Sequence, residues 1–108
     1  MVTNQYKVII TPTALKEMYR IYDYILADLY ADIAAEDLMN LVEEKIQNLK
    51  YAPKIYTEIE EFDELRRRYR RIVVNNYVIL YTIDEDNAVV YVTHMYYGSK
   101  NYLNNYSL

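Results

Sequence analysis

The sequence predicts an α+β domain of element order β-α-α-β-β-β, an antiparallel sheet with a two-helix hairpin packed on one face. Three observations carry that reading. Two consecutive segments place apolar residues at helical spacing, three later runs rich in β-branched and aromatic residues are separated by short turns, and a β-rich pentapeptide precedes the first helix. At 108 residues the chain has room for one core, so a single domain over 1–108 is expected.

Tyr6-Lys7-Val8-Ile9-Ile10 reads as the first strand, and Thr11-Pro12 supplies an N-cap followed by proline at the first helical position. Ala14, Leu15, Met18, Ile21, Tyr22, Ile25, Leu26 and Leu29 then recur at helical spacing, with Lys16, Glu17, Arg20 and Asp23 on the other side, which places helix one over about 12–30. Asp32 is the expected cap of a second helix, whose stripe is Ala34, Leu38, Leu41, Val42, Ile46 and Leu49 and which ends before Pro53. The short Tyr30-Ala31 link makes the helices an antiparallel pair. Residues 52–64 read as polar and irregular. Three strands follow over about 66–74, 77–83 and 88–96, joined by an Asn75-Asn76 turn of type I′ and by Asp84-Glu85-Asp86-Asn87. Hairpin connections make these strands an antiparallel meander, with one face covered by the helices.

A two-residue turn sets Val74 opposite Tyr77, Ile72 opposite Ile79 and Arg71 opposite Leu80. Alternation then places Arg70, Ile72, Val74, Tyr77, Ile79, Tyr81, Ile83, Val90, Val92 and His94 toward the helices. The other face carries Tyr69, Arg71, Val73, Val78, Leu80, Thr82, Tyr91, Thr93 and Met95, and is the candidate working face.

Composition narrows the function classes. With no cysteine, a disulfide framework and a thiolate metal site are both excluded, and no metal or cofactor is expected. The N-terminus lacks the apolar core of a signal peptide and no apolar run approaches the roughly 18 residues of a membrane span, so a cytoplasmic protein without a membrane partner is expected. The formal net charge of −4 argues against a general nucleic-acid coating protein. The charge is uneven, however. Glu58, Glu60, Glu61, Asp63 and Glu64 run directly into Arg66, Arg67, Arg68, Arg70 and Arg71, so a local positive patch can survive a negative total. Two readings stand side by side: these charges pair with one another, or the arginines meet an acidic partner. Fifteen tyrosines against one phenylalanine and no tryptophan fit packing with hydroxyls at the surface; a base-stacking surface would need them clustered beside cations.

The element order, together with Tyr6 to Ala14, the hairpin Arg70 to Asp84 and the run Val92-Thr93-His94-Met95-Tyr96-Tyr97-Gly98-Ser99-Lys100-Asn101-Tyr102, resembles the RelE/ParE superfamily of toxins from bacterial type II toxin–antitoxin modules. The likeness spans nearly the whole chain. It implies a protein that arrests growth until a cognate antitoxin wraps it with a helix and an extended segment, and that touches operator DNA only through that antitoxin. RelE-type members cut mRNA in the ribosome, whereas ParE-type members poison DNA gyrase, and fold alone does not separate them.

Metal-free RNA cleavage needs a base for the 2′-hydroxyl, an acid for the leaving oxygen and cations for the charged transition state. Under the RelE-type reading the resemblance assigns these roles to Arg71, Lys100 and Tyr106. Val78 stands where that type has a central arginine, and Tyr69 replaces a lysine two residues before Arg71. His94 occupies the place of a strand arginine, and Asn101 that of an acid. Losing one such cation commonly costs on the order of 3 kcal/mol, about a hundredfold in rate. The residues therefore favour the ParE-type reading, with an mRNA endonuclease and an attenuated, antitoxin-binding relic as alternatives. Arg66, Arg67, Arg68, Arg70, His94, Tyr97 and Lys100 are the candidates for contact with the target or the antitoxin.

Overall fold

The computed structural model describes residues 5–28 and 30–98. The elements are β1 (Lys7–Ile10), α1 (Pro12–Asp28), α2 (Asp32–Asn48), β2 (Thr57–Phe62), β3 (Arg68–Val74), β4 (Tyr77–Asp84) and β5 (Val89–Tyr97). One five-stranded sheet has the order β1-β5-β4-β3-β2. The α+β class holds, with two corrections. Part of the segment expected to be irregular is β2, antiparallel to β3; and β1 runs parallel to β5, so the sheet is mixed.

The parallel pairing follows from the helical hairpin. A chain that leaves β1 into α1 and returns through α2 crosses the face of the sheet before its remaining strands form. Thr11 caps α1 as expected: its Oγ1 accepts from Ala14 N–H at 3.2 Å, and its carbonyl accepts from Leu15 N–H at 2.9 Å. The helix is described over Pro12–Asp28. Tyr30 takes a left-handed φ of 50°, and Ala31 N–H reaches back to the Ile25 carbonyl at 3.3 Å, satisfying one of the carbonyls of the last turn. Asp32 lies inside α2 and its carboxylate bonds the next N–H, that of Ile33; the N-cap position belongs to Ala31, which makes no side-chain cap.

The core lies between the helices and one sheet face. Ala14, Met18 and Ile25 of α1 and Leu38, Val42 and Ile46 of α2 meet Ile72, Val74, Ile79, Tyr81, Ile83, Val90 and Val92. Ala35, not Ala34, fills the first buried position of α2. The hairpin register is as expected, Val74 opposite Tyr77 and Arg71 opposite Leu80. Of the two turn residues only Asn75 has a positive φ (53°), where type I′ requires it at both.

The face assignment fails in β5, and the cause is a register shift. Tyr81 pairs with Val92, but Leu80 pairs with His94 and Ile79 with Met95, so β5 holds one extra residue at this point. A bulge inverts the parity of everything after it. Met95 therefore enters the core, 1 % exposed, and His94 lies across from Leu80 on the side away from the helices.

Candidate functional site

The acidic segment that precedes the arginines is the structure that organises them. Asp63 N–H donates to the Arg67 carbonyl at 2.8 Å and Arg66 N–H to the Asp63 carbonyl at 2.9 Å, with Arg66 in the left-handed region at φ 67°. The Asp63 carboxylate fills this β2–β3 turn: Oδ1 accepts from Leu65 N–H and Arg67 N–H at 2.9 Å each, and Oδ2 from Arg67 Nε at 2.7 Å. Burial pushes this carboxyl up, but the bonds from Arg67 and Leu65 outweigh it and hold the group below the usual carboxylate range.

Three of the five arginines are engaged within the protein. Arg67, besides binding Asp63, stands 5.2 Å over the Tyr91 ring and 3.9 Å from Asp84. Arg68 stacks 4.8 Å over Phe62 and donates to the Ile59 carbonyl at 3.2 Å. Arg70 clamps the segment leading into β2, donating to the carbonyls of Lys54 (3.1 Å) and Tyr56 (2.8 Å) and to Glu58 Oε2 (3.2 Å). Arg66 and Arg71 are exposed and make no ion pair among the described residues. The pairing reading thus accounts for Arg67, Arg68 and Arg70.

The sheet face away from the helices is apolar along its middle strand: Val78 is 8 % exposed, and Leu80 and Thr82 are fully buried. Thr82 Oγ1 has no hydrogen-bond partner among the described residues. Tyr69 and Tyr96 flank this strand, and burial pushes both phenols up, with Asp63 and Glu64 adding to the effect at Tyr69 and Glu61 at Tyr96 against a partial offset from Arg71. At neutral pH these phenols stay protonated, able to donate a hydrogen bond but not to take up a proton. His94 Nδ1 lies 3.2 Å from Glu17 Oε1 on α1, and the same oxygen accepts Met95 N–H at 3.1 Å, so a helix carboxylate caps the bulge where β1 no longer covers β5.

Four of the candidate residues fall in two places, and Arg66, Arg68 and Arg70 line neither. Arg67 and His94 line a cleft of about 360 Å³ with Thr11, Thr13, Tyr91 and Thr93. Arg71 and Tyr97 line a second cleft at the hairpin tip with Gly98, whose N–H donates to the Asn76 carbonyl at 2.7 Å. Tyr97 also packs edge-on against Tyr77, centroids 5.6 Å apart. Lys100 and Tyr106 lie outside the described residues. Arg20 and Tyr24 join Tyr77 and Tyr97 around a further groove, which the sequence reading did not single out. Its signal was present in the spacing of Arg20, Ile21 and Tyr24, which share one helix stripe.

Among solved structures, the chain resembles the chromosomal ParDE toxin–antitoxin system from P. aeruginosa (TM-score 0.70, 11 % identity, covering 88 % of this chain and 98 % of that one). It also resembles the RelBE2 complex from Mycobacterium tuberculosis (TM-score 0.58, 21 % identity, 89 % and 94 %). A third likeness is to the archaeal RelE–RelB complex from Pyrococcus horikoshii OT3 (TM-score 0.56, 12 % identity, 89 % and 98 %). At these identities the likeness establishes the fold. No curated protein sequence matches the chain. The profile of the family described as "ParE toxin of type II toxin-antitoxin system, parDE" matches residues 8–102, nearly the full length, and the chain belongs to that family.

Proposed function

We propose that this toxin arrests growth by inhibiting DNA gyrase, leaves mRNA intact, and is neutralised by a cognate antitoxin. The observation that carries the reading is the chemistry of the sheet face away from the helices. Its centre is Val78, Leu80 and Thr82, its two flanking phenols are pushed toward the protonated form, and Arg67 is spent on Asp63. Arg71 is the exposed cation this face offers among the described residues. Among the described residues this surface supplies one exposed arginine where phosphoryl transfer needs a base, an acid and several cations, each worth on the order of 3 kcal/mol. The antitoxin has a fitting seat elsewhere. Leu15, Met18, Tyr19, Tyr22, Met39 and Val42 line an apolar groove of about 320 Å³ between α1 and α2, the shape and chemistry that receive an amphipathic helix.

The test is a bacterial cell-free translation reaction programmed with premade mRNA, run beside a gyrase supercoiling assay. Inhibited supercoiling with intact transcripts and undiminished translation is the expected result. Codon-spaced new 5′ ends would overturn the reading in favour of a ribosome-dependent nuclease.

A further inference from the structure

Helix α1 carries its buried stripe, Ala14, Met18 and Ile25, between two flanks. One flank, Leu15, Tyr19 and Tyr22, belongs to the apolar groove against α2. The other, Arg20, Ile21 and Tyr24, faces the β3–β4 hairpin tip, where Asn76, Tyr77 and Tyr97 complete a separate groove of about 760 Å³. Tyr24 is 52 % and Tyr97 47 % exposed, although both are large aromatics that burial would favour. Arg20 is exposed and makes no ion pair among the described residues.

We infer that the Arg20–Tyr24–Tyr97 groove is the surface by which the toxin grips its protein target, receiving a segment with an apolar or aromatic anchor next to a carboxylate. The rings supply the seat. Tyrosine and arginine are the residues in which binding energy concentrates, because a rigid ring buries a large area at little entropic cost and a guanidinium adds directional hydrogen bonds. Arg20 supplies the charge selection: a cation at the mouth of a mainly apolar groove favours an acidic neighbour of the anchor and rejects a basic one. Gly98 is part of the design, because a Cβ there would stand 3.0 Å from the Asn76 carbonyl and spread the hairpin tip from the strand that delivers Tyr97. With the α1–α2 groove on the opposite flank, one helix can face antitoxin and target on separate surfaces. The inference rests on the gyrase reading for the identity of the target, and on the geometry alone for the surface.

The experiment compares the full-length wild type with Arg20→Glu, Tyr24→Ala and the charge-matched control Lys16→Glu, whose side chain is exposed and lines neither groove. Readouts are gyrase supercoiling inhibition, growth arrest on induction, thermal midpoint, mass in solution and anisotropy of a fluorescein-labelled single-stranded oligonucleotide. The expected result is that Arg20→Glu and Tyr24→Ala raise the inhibitory concentration at least tenfold and lift growth arrest, with midpoint and mass unchanged, while Lys16→Glu behaves as wild type. Full inhibition by Arg20→Glu, a change of mass, or loss of oligonucleotide binding would each overturn the assignment, the last two in favour of a second copy or a nucleic acid. If the wild type arrests growth without inhibiting gyrase, the gyrase reading falls and the surface is judged on growth arrest alone. A wild type that does neither sinks both.

Discussion

Asp63→Ala is expected to destabilise the fold by about 2 kcal/mol, and the number can be worked from the turn. The carboxylate accepts three hydrogen bonds, and bonds to a charged group are worth about 1.5–3 kcal/mol when shielded. Leu65 N–H is exposed and regains water on mutation, so its bond adds little. Arg67 N–H and Nε are part-buried, and the Asp63 side chain is only 12 % exposed, so most of the loss falls there. At about 4 °C per kcal/mol for a domain of this size, the midpoint should fall by roughly 8 °C. Asp63→Asn keeps an acceptor for both backbone donors but gives up the charge, and about half the loss is expected. Urea unfolding followed by circular dichroism at pH 7 and pH 3 gives both comparisons. Because the folded carboxyl titrates below its ordinary value of 3.8, its stabilisation is complete above that value and is lost as pH falls through the folded one. The gap between wild type and Asp63→Ala must therefore narrow at the lower pH. A loss under about 0.5 kcal/mol at pH 7 would refute the reasoning and leave the turn to its backbone bonds and the φ of Arg66.

Further outcomes are expected. Tyr81→Phe removes the bond from its hydroxyl to the Pro53 carbonyl at 2.5 Å and strands a buried acceptor, a loss of about 1.5 kcal/mol measurable by urea unfolding, with growth arrest unchanged. Gly98→Ala must move the hairpin tip by a few tenths of an ångström and should cost about 1 kcal/mol, read as a midpoint lowered by about 4 °C. Tyr6, Tyr69, Tyr77, Tyr81 and Tyr96 titrate above the ordinary tyrosine value of 10.0. Absorbance at about 295 nm should accordingly show a late group of phenols; Tyr81, raised by burial, is released only on alkaline unfolding, while Tyr6, raised by its surface bond to Glu85, ionises in the folded protein. The sign follows: a raised folded value stabilises fully below pH 10 and the contribution is lost as pH climbs past it.

Local signals were legible wherever a residue's conformation depends on near neighbours. Thr11-Pro12 marked the start of α1, the apolar stripes marked both helices, and the Asn75-Asn76 pair set a hairpin register that the structure keeps. Placing β2 needed more than its sequence, because Thr-Glu-Ile-Glu-Glu-Phe is too acidic to look like a strand. It is one because Arg68 and Arg70 lie across from Phe62 and Glu58 and draw the chain to the sheet edge. The same pairing decided the fate of the arginine run, which sequence left open between self-pairing and a partner.

By itself, then, the sequence determined the class, both helices, the β3–β4–β5 meander and the absence of cysteine, since each rests on period, turn chemistry or composition, while the likeness to the toxin superfamily rested on the resemblance of particular residue runs. Tertiary structure decided the parallel partner of β1, the bulge that carries Met95 inward and His94 outward, and the meeting of Arg20 and Tyr24 with Tyr77 and Tyr97. These depend on contacts between residues far apart in the chain, more than seventy positions for Tyr24 and Tyr97. No local pattern encodes such a distance, and only the packing of α1 across the sheet closes it.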